Sequence, residues 1–226
     1  MAKATGRNKL YGLRRAVFAA VAVFAAAAMP FAAAAQTAPK AGTDYIALDP
    51  PLAVRAPADK IEVVEFFNFS CPHCFRMQGA MARWERDFDL SDIALVRQPV
   101  VFQAAAGHYA RMFHTLEAMG IAEEYYGKVF DAIHRDRRLL NSRGRFADWL
   151  EDNGLDGGKA EEIYDSFSVN TKVARANRIA DDYGINSTPQ FAVAGKYLLT
   201  PTLSGSLQKM LDTASALIET ERAARR

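Results

Sequence analysis

The chain has 226 residues, 24% of them charged, with a formal net charge of +2, two cysteines and four histidines. Two cysteines exclude a fold built as a disulfide scaffold, so an apolar core has to hold it together. The excess basic charge comes from the first residues, which argues against the retained basic stripe of a nucleic-acid binder.

Lys3, Arg7, Lys9, Arg14 and Arg15 open the chain with no acidic residue among them. An apolar run from Ala16 to Met29 follows, then Pro30 and an alanine-rich stretch to Ala35. Basic, apolar, then small is the order of a secretory signal peptide, and Ala33-Ala34-Ala35 offers a cleavage site before Gln36. The competing reading is an uncleaved anchor, but the run is short of the ~20 apolar residues a spanning helix needs. Removing residues 1–35 takes five of the 28 basic residues, leaving 23 against 26 acidic ones, a net charge of −3. Export implies an oxidising compartment, where a disulfide persists.

Residues 36–60 hold Pro39, Pro50, Pro51 and Pro57 and read as an extended leader, with a short edge strand at Tyr45–Leu48. Ile61-Glu62-Val63-Val64-Glu65-Phe66-Phe67 is β-branched, aromatic and nearly all apolar, as a buried central strand should be. Strand alternation places Glu65 on one face with Ile61, Val63 and Phe67. A carboxylate there is buried with a raised pKa, or else sits at a solvated sheet margin.

Cys71-Pro72-His73-Cys74 comes next and holds both cysteines. A ring closed over two intervening residues removes little entropy from the unfolded chain, so it is a poor staple. It suits redox exchange instead. A thiol at a helix start faces unpaired N–H groups and the positive end of the dipole, which favour Cys71 as thiolate. Pro72 fits the first helical position, where its missing N–H costs nothing. His73 can add a donor or a positive charge. Zinc is the other reading of the pair, but a zinc site needs about four ligands, and only scattered histidines are available to supply the rest.

From Cys74, the positions Phe75, Met77, Met81, Trp84 and Phe88 define an amphipathic helix to about Asp89. Phe69, Phe75 and Met77 either line a groove beside the cysteines or pack the core. Ile93–Val96 reads as a second strand with an extended exit over Gln98–Phe102, and Arg97 at its end is a candidate counterion for Glu65. A helical block follows. One helix carries Tyr109, Met112, Phe113, Leu116 and Met119 and stops at Gly120. Others carry Tyr126, Val129, Phe130 and Ile133; then Phe146, Trp149 and Leu150; then Ile163, Phe167, Val173, Ala176, Ala180 and Tyr183, closed by Gly184. The stripe Tyr109, Phe113, Tyr126 and Phe130 reads as the block's own core. His108, His114 and His134 read as surface or core-edge residues rather than ligands. Gln190–Val193 and Lys196–Leu199 flank Ala194-Gly195 as a tight hairpin. A last helix runs from Leu203 to Ile218, and Arg222–Arg226 reads as a frayed tail.

This order is that of an α/β, thioredoxin-like fold with an inserted helical domain. Residues 61–103 and 185–221 form the thioredoxin-like part, and residues 104–184 the insert.

Val63–Phe67 leading into Cys71-Pro72-His73-Cys74, with Gly184-Ile185-Asn186-Ser187-Thr188-Pro189 leading into Gly195-Lys196-Tyr197, resembles the DsbA family of periplasmic thiol:disulfide oxidoreductases. The resemblance covers most of residues 60–220. It implies a dithiol oxidase in the periplasm, with Cys71 the exposed reactive sulfur and Cys74 its buried partner. It makes Pro189 a cis-proline beside the disulfide, and Thr188 the residue that offers backbone to a substrate chain. The best-known members carry valine at this position, so Thr188 is a departure. Glu65 becomes the acid that moves a proton to or from Cys74. The Cys71–Cys74 disulfide is itself the redox centre, with no metal or nucleotide. The implied partners are unfolded exported polypeptides and a quinone-linked membrane oxidase of DsbB type, and the implied state is a monomer. A reductase or isomerase on the same fold, or a non-enzymatic chaperone, are the alternatives.

Overall fold

The computed structural model describes residues 38–102 and 107–226. The expected signal peptide lies outside the described residues. Residues 38–226 form one compact unit.

Five strands make one sheet in the order β1-β5-β4-β2-β3. They are β1 (Ile46–Ala47), β2 (Ile61–Phe67), β3 (Ile93–Pro99), β4 (Gln190–Val193) and β5 (Tyr197–Leu199). β2 is central and buried along its whole length. It runs parallel to β3 and antiparallel to β4. The β2–β3 register sets Glu65 directly beside Arg97. The extended exit after Val96 is partly strand: β3 continues to Pro99, and Val100 N–H donates to the Phe67 carbonyl at 2.8 Å.

Helix α1 (Pro72–Asp87) and helix α8 (Leu207–Ala224) cover one face of the sheet. Ile61, Val63, Phe191 and Val193 meet Met77, Met81 and Trp84 of α1 and Met210, Leu211, Leu217 and Ile218 of α8. On the other face Val64 and Phe66 pack against Ala180 and Tyr183. Between β3 and β4 lie α2 (Gly107–Ala118), α3 (Ala122–Phe130), a π-helical turn (Asp131–Arg135), α4 (Arg143–Asp152), α5 (Gly157–Tyr164) and α6 (Phe167–Asp182). Gly120 ends the first of these with φ +75°, as its position after the apolar stripe predicts.

Several expectations are corrected. The first helix stops at Asp87 because Phe88 turns extended, with ψ 141°. The expected helix from Leu203 is two: a short α7 (Pro201–Ser204) is cut off by Gly205 at φ +72°. The tail is not frayed before Ala224. Arg222 Nε donates to both Asp92 carboxylate oxygens at 3.1 and 3.0 Å, and Arg225 reaches the Lys60 carbonyl at 3.0 Å. Charged residues bonded to a neighbouring loop extend a helix that periodicity alone would end early. Phe167 is 86% exposed, since Ser166 caps α6 and leaves its first side chain outside. His114 is buried, with its ring bonded to Glu117 at 2.5 Å.

The aromatic stripe is not a separate core. Phe113, Tyr126 and Phe130 pack with Phe67, Phe69 and Cys74, and Tyr109 borders them. β2 and the loop after it carry their last aromatic rings past the sheet into the helices. The helices therefore wall the cysteine pair.

The β4–β5 hairpin turns over Ala194, Gly195 and Lys196, so β5 begins one residue later than expected; Ala194 (φ +54°) and Gly195 (φ +66°) are the central residues of a turn closed by Lys196 N–H donating to the Val193 carbonyl at 3.0 Å. Leu52 N–H donates to the Gly195 carbonyl, and a Cβ at Gly195 would lie 2.2 Å from the Leu52 carbonyl oxygen. Gly195→Ala is therefore expected to cost roughly 2 kcal/mol or more, by backbone strain and displacement of the leader. Urea denaturation checks this; an unchanged midpoint refutes it.

Candidate active site

Cys71 is the N-cap of α1, with extended backbone (φ −80°, ψ 116°), and Pro72 is the first helical residue. A short turn sets this up. Asn68 Oδ1 accepts from the Ser70 N–H at 2.8 Å, and Cys71 N–H donates to the Asn68 carbonyl at 2.9 Å. The Cys71 sulfur accepts the Cys74 N–H at 3.4 Å, so it occupies the place an N-cap oxygen normally takes. The Thr188–Pro189 peptide is cis, and the Thr188 carbonyl lies 3.3 Å from Cys71 Sγ. Residues 117 positions apart in sequence thus meet at one sulfur.

Both cysteines are free thiols here, Cys71 half-buried and Cys74 fully buried. Their acidities diverge. The Cys74 thiol, donating to Cys71, lowers the Cys71 pKa to about 5, against a smaller opposing effect of burial. The Thr188 side chain and the backbone N–H groups of Cys74 and His73 add to the lowering. Burial pushes the Cys74 thiol far up, and the Cys71 charge adds to it. The pair therefore carries one anion, on the accessible sulfur.

His73 acts through its backbone N–H rather than its ring. The ring is exposed and turned away, with Nδ1 taking a bond from Arg76 at 2.6 Å. Since guanidinium only donates, that nitrogen is the acceptor.

Glu65 is completely buried, as one of the two sequence readings expects. Burial raises its pKa to about 7, although Arg97 opposes the shift. Arg97 Nε lies 3.7 Å from its carboxylate, while the rest of the guanidinium pairs with Glu85 and Glu123. Three carboxylates share one cation, so the most buried of them is the least able to stay ionised. Tyr126 lies under Arg97, with its ring 4.6 Å away, and burial raises its hydroxyl well above the ordinary tyrosine range, the Glu65 charge adding to the shift. Sequence reasoning had no signal for Tyr126, Glu85 or Glu123 at this site, because only packing brings α1 and α3 to Arg97. Phe69 and Met77 are core residues, and Phe75 is half-buried at the edge of the site. Among the described residues, no group of three or more His, Cys, Asp or Glu is placed to hold a metal ion.

The pKa of Glu65 has a stability consequence. Its folded pKa lies above the unfolded value, so stability falls as pH rises from about 4.5 through 7. Glu65→Gln should remove this loss and gain about 1–3 kcal/mol at pH 8 over pH 4, relative to the parent. Denaturant titrations at both pH values check it; a variant with the parent's pH dependence refutes it.

A thiolate at a helix end, bonded to a protonated partner thiol and facing a proline-loop carbonyl, is equipped to exchange disulfides. The fold and this arrangement define a thioredoxin-like thiol:disulfide oxidoreductase. Comparison with known proteins narrows the class. A family model described as a DSBA-like thioredoxin domain matches residues 89–214. That match begins after Cys74, so the geometry of the cysteine pair supports the assignment independently. Thiol:disulfide interchange protein DsbA of Bordetella parapertussis is 34% identical over 170 residues, 75% of this chain and 80% of that one. Its namesake in Pseudomonas aeruginosa is 35% identical over 184 residues, 81% of this chain and 86% of that one. The crystal structure of Pseudomonas aeruginosa DsbA superposes with a TM-score of 0.76 at 34% identity, covering 82% of this chain and 96% of the other. This chain belongs to the DsbA family of thiol:disulfide oxidoreductases.

Proposed function

We propose that this oxidoreductase works as an oxidase in the periplasm, after cleavage of a signal peptide over residues 1–35. It gives its Cys71–Cys74 disulfide to newly translocated, unfolded polypeptides. The observation that carries the direction is the split between the two thiols, Cys71 lowered to about 5 and Cys74 raised far above its ordinary value.

A substrate thiolate attacks Cys71 Sγ, and the Cys71–Cys74 bond breaks with its electron pair on Cys74. Cys74 is buried and takes a proton at once. Glu65 is the acid that supplies it; its raised pKa supports a proton-carrying role near neutral pH. A second substrate thiolate then attacks the substrate sulfur of the mixed disulfide, and Cys71 leaves as a thiolate. The substrate loses two electrons and gains a disulfide; the enzyme ends with one thiol and one thiolate. The low pKa of Cys71 makes it a good leaving group and favours the reduced enzyme, an effect for which the DsbA family is itself the usual example.

Thr188 presents its carbonyl beside the reacting sulfur, where an extended substrate backbone can donate to it. Pro72 and His73 hold the helix start. Pro189 holds the opposing loop. The dithiol serves as its own redox centre, with no metal or nucleotide in the cycle. A quinone-linked membrane oxidase of DsbB type returns the pair to the disulfide, and the chain works as a monomer without nucleic acid.

Equilibration of the reduced and oxidised protein with glutathione buffers tests the direction. An oxidase is expected to stay largely reduced in buffers that leave thioredoxin oxidised, at a potential well above thioredoxin's about −270 mV. A potential near thioredoxin's refutes the oxidase reading in favour of a reductase.

A further inference from the structure

The loop between β2 and α1 is held from outside by one side chain. His134 Nε2 donates to the Phe69 carbonyl at 2.8 Å, across 65 residues of sequence. Phe69 lies two residues before Cys71, in neither strand nor helix. Among the described residues, His134 is the hydrogen-bond partner found for its carbonyl. The His134 ring stacks on Phe75 at 5.0 Å and 14°, and on Phe130 at 6.0 Å and 26°. It therefore touches the redox loop, the first turn of α1 and the helical insert at once.

His134 sits in the π-helical turn that follows α3, where Asp136 N–H reaches back five residues to the Asp131 carbonyl at 3.0 Å. A π turn rotates the residues after it relative to an α-helix, and such turns are rare and frequently found at functional sites. Here the side chain that projects from the turn to the redox loop is His134.

We propose that His134 is a positioning residue for the redox pair: by holding the Phe69 carbonyl and wedging between Phe75 and Phe130, it keeps Cys71 at the helix N-cap. The inference rests on the exchange chemistry proposed above and adds a residue to it. Freed from His134, Phe69 and Ser70 can rotate, and Cys71 Sγ swings off the Cys74 N–H. That contact is 3.4 Å and is stretched first. The thiolate then loses a charge-assisted donor, whose worth corresponds to roughly tenfold in equilibrium.

The test compares His134→Asn and His134→Gln. Both are polar, but only glutamine carries an N–H about as far from the backbone as Nε2. The expected result for His134→Asn is a shift of about tenfold in the glutathione equilibrium toward the oxidised enzyme, with Cys71 ionising at higher pH by ultraviolet thiolate absorbance. His134→Gln should keep most of the parent's values. If asparagine prevents folding, Phe75→Leu tests the stack alone and should move the equilibrium the same way by less. Variants that lose stability but keep the parent's equilibrium and thiol titration overturn the proposal. A parent potential near thioredoxin's would sink the oxidase reading yet leave the shift between variants measurable, so the two failures are distinguishable.

Discussion

Cys71→Ser is expected to abolish disulfide donation to a reduced, unfolded substrate, with a loss of activity at least as large as the assay can follow. The serine hydroxyl has no disulfide to offer and ionises far above the working pH. Cys74→Ser should behave differently. Given a substrate that already carries a disulfide, its Cys71 thiolate attacks that bond, expels one substrate sulfur as thiolate and keeps the other, and no neighbouring thiol can break the new bond again. Mixed disulfides should therefore accumulate on Cys74→Ser and be absent from Cys71→Ser. Non-reducing electrophoresis after incubation with substrate distinguishes them. A Cys71→Ser protein that retains its activity would make the chain a binding protein and remove the oxidase reading.

The second large effect is on the reduced state, and it depends on pH. The folded pKa of Cys71, about 5, lies below its ordinary value of 9. A lowered pKa contributes stability that is complete above the unfolded value and is lost as pH falls through the folded one. The reduced protein should gain on the oxidised one as pH rises from 5 toward 9, by about 1–2 kcal/mol at pH 7 once solvent around the half-buried sulfur is allowed for. Cys74 adds nothing until pH nears its ordinary value of 9, below which it is protonated both folded and unfolded; from there its raised folded pKa subtracts stability. Proton balance gives a sharper readout. Reduction consumes two protons per two electrons below pH 5 and one above it. The potential should fall by about 59 mV per pH unit below that point and about 30 mV above it. A slope of about 59 mV maintained up to pH 8 would show Cys71 to be an ordinary thiol.

Much of this site is local and was therefore legible in the sequence. Cys71, Pro72 and Cys74 sit at the start of one helix because an apolar strand gives way there to a stripe of helical period, and the N-cap chemistry follows from that boundary alone. The near-continuous apolar run around Glu65 pointed to a buried carboxylate. Arg97 follows from the parallel pairing of two strands that could each be found by composition. His73 was legible as a neighbour but not in its orientation: its ring turns to Arg76, and only its backbone N–H faces Cys71.

What could not be read were the contacts made between distant segments. The aromatic stripe of the insert has the same period whether it packs on itself or on Phe67, Phe69 and Cys74, so periodicity could not choose between a separate core and a shared one. Arg222–Arg226 reads as a frayed tail because the bonds that hold it run to distant segments, Arg222 to the loop at Asp92 and Arg225 to Lys60. By itself, the sequence determined the strand–helix junction, the chemical identity of the redox pair and the cis-capable Thr188-Pro189 loop, since each depends on residues adjacent in the chain. Only the tertiary structure decided which groups surround them, setting the Thr188 carbonyl against Cys71, Arg97 between three carboxylates and His134 beneath Phe69. Hydrogen bonds and burial act through space, over distances that a one-dimensional pattern does not encode.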